Sequence, residues 1–460
     1  MRNTVQQMVR LLVGSVVVMS CADETTAPAG SGVLAVEVRA PNDSLFFGRS
    51  MQLLAAAIGD AAVVARPTIT WRSSDTLAVV VNGDGLVTAV GFGTATITAT
   101  VADQQASYVV RAVPMHVAPN GTVVMASRSH LGRQCGLNAQ GHAMCVIEPT
   151  APDTIPRFAL LPDATNHVFT SFSSGYESDC GMKADGSLWC TRTVSDFILA
   201  TGAEFGATQV FRPVRTTLRF SAFGVGGHTH ICAIGRDDGL VRCWGHSHLG
   251  VLGRPNVGND RDSVTAPVLD APPLTTLSTN QQSACGVDAA GRAICWGSGA
   301  RHKGMRSLVD TTIFGPGNLA AQSWYARVRD DAPPFVAVET DDHVTCGLTA
   351  GGEAYCWGDN REGQLGIGST TPSTAVERVE TPVRFRALYA VWWDQSQMCG
   401  VSTDDALYCW GLVDPAPLGV ALGTRRYAPV RLLPGVAVEG VMLGTNRRCA
   451  VTRAGGVLCW

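Results

Sequence analysis

Short apolar stretches alternate with polar, glycine-rich turns along most of the chain, and long amphipathic runs are scarce. One segment shows the pattern. Cys346-Gly-Leu-Thr-Ala-Gly-Gly-Glu-Ala-Tyr-Cys356-Trp357-Gly358 opens with an apolar stub, turns at Gly351-Gly352 and returns as an alternating stub. Glycine tolerates the positive φ that tight hairpins need, so the segment predicts a β-hairpin. Its two cysteines are equidistant from the turn and face each other across the strands. Opposed residues of an antiparallel pair lie close enough for a disulfide.

The interval recurs seven times: Cys135 with Cys145, Cys180 with Cys190, Cys232 with Cys243, Cys285 with Cys295, Cys346 with Cys356, Cys399 with Cys409 and Cys449 with Cys459. The third is one residue longer, and the extra residue falls within Gly235-Arg236-Asp237-Asp238-Gly239, where length costs least. Zinc sites bring cysteines together in C-x2-C steps, which the chain lacks. Constant spacing and paired numbers predict disulfides within each interval, each contributing roughly 2–3 kcal/mol by the chain-entropy model. First cysteines return about every fifty residues, room for four short strands. β-prone stretches (335–338, 388–391) precede the hairpins. Ala266-Pro267-Val268, Thr381-Pro382-Val383 and Ala428-Pro429-Val430 follow them and are expected to form the fourth strand. One such unit cannot bury both faces, whereas a closed ring protects every edge. The seventh unit reaches Trp460 before its last strand, so 112–117 or 122–126 is expected to close the ring.

Residues 33–113 contain no cysteine and alternate differently. Six or seven short strands with turns about every ten residues predict a β-sandwich. The fold class is thus all-β: a seven-bladed β-propeller with an N-terminal immunoglobulin-like β-sandwich. The boundaries are 1–21 (signal peptide), 22–32 (linker), 33–113 (sandwich) and 114–460 (propeller).

Composition narrows the function. The chain has 460 residues, 16% charged, with a net charge of -3 and no block of like charges. A nucleic-acid surface or a patch for anionic membranes is not indicated. Arg2 and Arg10 flank a short apolar stretch at 11–19, too short to span a bilayer. Val18-Met19-Ser20-Cys21 resembles a bacterial lipobox. The resemblance implies that Cys21 is lipidated, and Ala22, in place of the retention Asp, implies the outer membrane. The expected address is the cell envelope, with membrane contact only through the lipid and possible display at the surface.

Two further resemblances follow. Cys356-Trp357-Gly358-Asp359-Asn360-Arg361-Glu362-Gly363-Gln364-Leu365-Gly366 resembles the repeat of the regulator of chromosome condensation family. Cys-Trp recurs at 243–244, 295–296, 409–410 and 459–460, and His230-Ile231-Cys232 matches that family's His-x-Cys step. The resemblance implies a seven-bladed propeller and leaves function open, because the fold hosts many. Trp71-Arg72-Ser73-Ser74-Asp75, Gly85-Leu86-Val87-Thr88-Ala89 and Gly93-Thr94-Ala95-Thr96-Ile97 resemble bacterial immunoglobulin-like domains of group 2, which often act as spacers.

Candidate chemistry is sparse. The chain lacks G-x-S-x-G, H-E-x-x-H and Walker A patterns. Gly315-Pro316-Gly317-Asn318-Leu319-Ala320 mimics a dinucleotide fingerprint without the βαβ setting it needs. His228, His230, His246 and His248 flank one hairpin and are the weak metal candidates. Asp75 and Asp84 suit turn capping better than Ca²⁺. The Cys-Trp tryptophans suit packing between blades better than a ligand-binding ring. Trp324 and Tyr325 sit in the longest inter-hairpin insert and are the candidate interface anchors. No cofactor is expected. The reading is a monomeric, non-enzymatic module binding a protein or surface glycan. Alternatives are an inhibitor of an extracellular or periplasmic enzyme, since a propeller inhibitor of β-lactamase shares this fold, or a propeller enzyme acting on polysaccharide.

Overall fold

A computed structural model describes residues 33–459, apart from breaks of one to five residues and the stretches 60–67, 148–156, 193–207, 255–260, 298–326 and 414–423. The chain divides into two compact units, Met1–Val113 and Pro114–Trp460.

The first unit contains nine described strands. Ser44–Phe46, Gln104–Val113, Gly93–Val101 and Thr70–Ser73 form one sheet; Ser50–Gln52, Leu86–Ala89 and Val79–Val81 form another; Val33–Arg39 pairs with Leu54–Gly59. Leu53, Val79, Val87, Ile97 and Val110 fill the core. Asp75 accepts the Ala78 amide and so caps a turn.

In the second unit, six of seven described sheets contain four strands and one contains five. Sheet 1 is Met125–Ala126, Cys135–Leu137, Ala143–Ile147 and Arg157–Leu160. Sheet 2 is Ser171–Ser174, Asp179–Met182, Leu188–Arg192 and Thr208–Pro213, with Arg128–Ser129 added in parallel. Sheet 3 is Phe220–Val225, His230–Gly235, Val241–His246 and Arg261–Asp262. Sheet 4 is Leu274–Thr279, Ser283–Asp288, Ala293–Gly297 and Arg327–Arg329. Sheet 5 is Phe335–Thr340, Val344–Thr349, Ala354–Gly358 and Ser373–Arg378. Sheet 6 is Phe385–Val391, Gln397–Ser402, Leu407–Val413 and Thr424–Leu432. Sheet 7 is Val438–Leu443, Arg448–Thr452, Val457–Cys459 and Met115–Ala118. From sheet 2 to sheet 7, the first strand of each touches the first strand of the next, and that of sheet 7 touches that of sheet 1. The unit is a propeller closed on itself.

Closure comes from Met115–Ala118, which pairs antiparallel with Val457–Cys459. Ala112 and Val113 remain in the sandwich, and Met125–Ala126 begins sheet 1. The Pro-Val segments are corrected. Ala428-Pro429-Val430 lies in a strand, Pro267 makes only an isolated bridge to Arg242, and Thr381-Pro382-Val383 lies between strands. Sheet 5 takes Ser373–Arg378 as its fourth strand, so Thr381-Pro382-Val383 falls beyond the ladder.

Seven disulfides join directly opposed cysteines, one in each sheet. Cys135 bonds to Cys145, Cys180 to Cys190, Cys232 to Cys243 and Cys285 to Cys295. Cys346 bonds to Cys356, Cys399 to Cys409 and Cys449 to Cys459. Their Cα–Cα separations are 4.0–4.1 Å. Each hairpin turns through a residue of left-handed conformation: Gly141, Gly186, Gly239, Gly291, Gly352, Asp405 and Gly455, with φ between 64° and 82°. That conformation aims the residue's carbonyl out of its own sheet. The carbonyl accepts the amide that opens the next sheet's first strand. The donors are Phe169, Phe220, Leu274, Phe335, Phe385, Val438 and, across the closing junction, Val123, at 2.8–2.9 Å. A Cβ on Gly352 would lie 2.8 Å from the Phe385 carbonyl, whereas one on Gly351 meets nothing nearer than 3.9 Å. Gly352→Ala should therefore cost about 1–3 kcal/mol in urea unfolding, and Gly351→Ala less than about 0.5 kcal/mol. Equal losses would show that the left-handed turn does not hold adjoining sheets together.

Candidate binding surface

The same amide that latches a sheet to its predecessor starts a strand with a local irregularity. In sheets 3 to 7 the pairing register shifts after the first residue, leaving Ser221, Thr275, Val336, Arg386 and Glu439 as bulge residues. Val124 and Thr170 hold the matching places after the latch donors Val123 and Phe169. A bulge leaves one residue unpaired and re-aims its side chain. Because the first strands lie side by side around the middle of the ring, these seven positions surround its centre at the hairpin-turn end.

Their chemistry divides into sectors. Val124 and Val336 are each 49% exposed. Thr170, Ser221 and Thr275 turn their hydroxyls onto the carbonyls of Met182, Ile234 and Val287, at 3.1, 3.4 and 3.0 Å, and all three residues are exposed. Arg386 and Glu439 belong to an ion cluster. Arg386 donates to Asp405 at 3.0 Å and to the carbonyls of Val438 and Glu439; Arg453 donates to Asp405 at 2.8 Å and pairs with Glu439. Asp405 stands where the other hairpins have glycine, and short polar Asp is among the few residues that accept this backbone.

Two other carboxylates at this end are also paired. Arg242 lies 2.7 Å from Asp238, and Arg384 2.7 Å from Glu353. Hydrogen bonds from Arg242, Arg384 and Arg453 hold Asp238, Glu353 and Asp405 below their ordinary pKa values. A carboxylic acid that donates protons near neutrality needs the opposite shift.

The remaining candidates distribute as follows. All fourteen paired cysteines are at most 1% exposed. Cys285 and Cys295 show what they do besides staple: both pack in one cluster with Phe335, Val338 and Trp357 of the next sheet. Trp244, Trp296, Trp357 and Trp410 are fully buried. Trp296 and Trp410 donate to the carbonyls of Val251 and Gln364 at 2.9 Å. Those acceptors sit in Gly250-Val251-Leu252-Gly253 and Gly363-Gln364-Leu365-Gly366, so each loop roofs the tryptophan of the following sheet. Three latch phenylalanines pack on these indoles: Phe220 on Trp244, Phe335 on Trp357 and Phe385 on Trp410, with centroids 5.8–5.9 Å apart. His230 is buried, its ring over Gly226. His228, His248, Cys21, Trp324, Tyr325 and Trp460 lie outside the described residues, as does the His246 side chain. Among the described residues, Cys135, Cys145 and Asp179 bring ligand atoms within 4.8 Å of one another, but the two sulfurs are bonded together. The bulge ring was missed in sequence because its members share no residue type.

The closed succession of meanders defines a repeat β-propeller, preceded in the chain by an immunoglobulin-like sandwich. The repeat is of the condensation-regulator kind: the regulator of chromosome condensation (RCC1) repeat matches residues 341–364, and the bacterial Ig-like domain (group 2) matches 33–110. The chain is 25% identical to the ultraviolet-B receptor UVR8 of Arabidopsis thaliana over 55% of each protein. It is 32% identical to the probable E3 ubiquitin-protein ligase HERC3 of Homo sapiens over 25% of this chain and 12% of that protein. It thus spans well under two thirds of either relative. Human WBSCR16 superposes with a TM-score of 0.55 at 13% identity, covering 78% of this chain and 91% of that one. Prp20p of Saccharomyces cerevisiae does so with 0.54 at 13% identity, covering 72% and 80%; its structure was described with its binding properties to Gsp1p and histones.

The ion cluster makes a pH-dependent prediction. Because the Asp405 pKa is lowered on folding, its contribution is complete above the unfolded-state value and is lost as pH falls through the lowered one. Asp405→Asn should reduce the melting temperature at pH 7, and the gap to wild type should close as pH drops below about 4. A gap that stays constant down to about pH 2 would contradict this.

Proposed function

We propose that the protein is an exported, lipid-anchored binding module of the cell envelope, in which the sandwich acts as a spacer and the propeller as a rigid platform. The observation that carries the reading is the bulge ring: seven positions in register, open to solvent at Val124 and Val336 and ion-paired at Arg386 and Glu439. Rigid scaffolds commonly present contacts in this way. Support comes from Prp20p, whose binding to Gsp1p and histones was studied on the same fold. A protein surface is the partner the ring suits best, since exposed apolar side chains beside matched charges are the usual make-up of an interface.

The test is recovery of partners from envelope fractions on immobilised full-length protein. Val124→Glu combined with Val336→Glu should reduce recovery of any specific partner at least about tenfold, the loss expected when interface anchors are removed. Undiminished recovery would overturn the assignment of this face. The anchor is tested separately. Cys21→Ala should abolish incorporation of labelled fatty acid and move the protein from the membrane to the soluble fraction; unchanged labelling would exclude Cys21 as the lipid site.

A further inference from the structure

The seven disulfides are alike in spacing and burial, yet their neighbours differ. In three sheets the residue just before the first cysteine shares a packed cluster with the preceding sheet's disulfide. Ile231 lies with Cys180 and Cys190, Ala284 with Cys232 and Cys243, and Met398 with Cys346 and Cys356. Asp179 holds the same position in sheet 2, and its carboxylate lies within 4.8 Å of the Cys135 and Cys145 sulfurs. It also accepts a hydrogen bond from Ser174. The remaining residues at this position are Gln134, Thr345 and Arg448, all buried. One place in the repeat thus carries an acid beside one disulfide and, by the same register, an arginine beside Cys399–Cys409.

We infer that the residue before each first cysteine sets how readily the preceding sheet's disulfide is reduced, and that Asp179 makes Cys135–Cys145 the protected one. In reduction by a dithiol, its thiolate attacks one cysteine sulfur. The S–S bond breaks and its electron pair leaves on the other sulfur, which takes a proton from solvent. The second thiol of the reductant then closes on the mixed disulfide and releases the other cysteine, so two electrons pass from dithiol to cystine. A carboxylate at this distance repels the incoming thiolate, and that slows exchange. A guanidinium does the reverse.

Among the described residues, the protected disulfide sits between short strands. The first strand of sheet 1 has two residues and its second strand three, against six in the second strands of sheets 4, 5 and 6. Sheet 1 also receives the closing latch from Gly455 to Val123.

The experiment follows each disulfide of the full chain by timed reduction, alkylation and peptide mass spectrometry, using dithiothreitol and, in parallel, an uncharged phosphine. Asp179→Asn should speed thiolate reduction of Cys135–Cys145 about threefold or more, the size expected when a like charge beside the attacked sulfur is removed. The other disulfides serve as internal clocks and should not change. The phosphine should reduce Cys135–Cys145 equally fast in both proteins, and Asp179→Glu should retain the wild-type rate. Arg448→Met should slow Cys399–Cys409 under the thiolate alone. An unchanged rate in Asp179→Asn, or acceleration by both reductants, would overturn the inference, the latter because it would mark easier opening of the hairpin.

Discussion

One hydrogen bond, made seven times, organises the propeller: the carbonyl of a left-handed turn residue accepts the amide that opens the next sheet. A hairpin in isolation leaves that carbonyl to water. Here it goes to the neighbour, so the turn's conformation and the placing of the adjacent sheet are one constraint. Six of the seven positions are glycine, because a Cβ would strain the turn and, as at Gly141, Gly186 and Gly352, press on the next sheet. Asp405 meets the constraint differently, accepting the backbone conformation and using its carboxylate to tie Arg386 to Arg453.

Around this bond the other interactions fall into place. The latch donor is often phenylalanine, and in sheets 3, 5 and 6 it packs against the tryptophan of its own sheet. That tryptophan is in turn roofed, in sheets 4 and 6, by the Gly-x-Leu-Gly loop of the sheet before. The disulfide closes each hairpin within this packing, as Cys285–Cys295 does against Phe335 and Trp357. Burying large aromatics supplies a non-directional driving force, while the latch and the disulfide supply the register that hydrophobic burial alone does not specify.

Much of this was legible in the sequence, for a physical reason. Cysteines equidistant from a Gly turn can only oppose each other in a hairpin, so the pairs and their turns followed from spacing. The longer third interval is taken up at the turn, where Gly239 bonds back to Gly235. The fourth strands were less legible. Pro-Val is a strand signal at Ala428-Pro429-Val430, because an edge strand tolerates proline, but at Thr381-Pro382-Val383 the ladder is already filled by Ser373–Arg378. The bulge ring left no sequence trace, because a bulge is a property of pairing register, and Ser221, Thr275, Val336, Arg386 and Glu439 have nothing in common but place. Of the histidine candidates, the His230 side chain is described, and it lies buried with its ring over Gly226.

The central claim is that the ring is closed and that its closing junction equals the other six. Native-state hydrogen exchange on the amides of Val123, Phe169, Phe220, Leu274, Phe335, Phe385 and Val438 tests it most directly. Protection at all seven within about tenfold of one another is predicted, since each amide is freed only by opening of a junction between sheets. Val123 exchanging at the rate of an exposed loop while the other six stay protected would contradict closure.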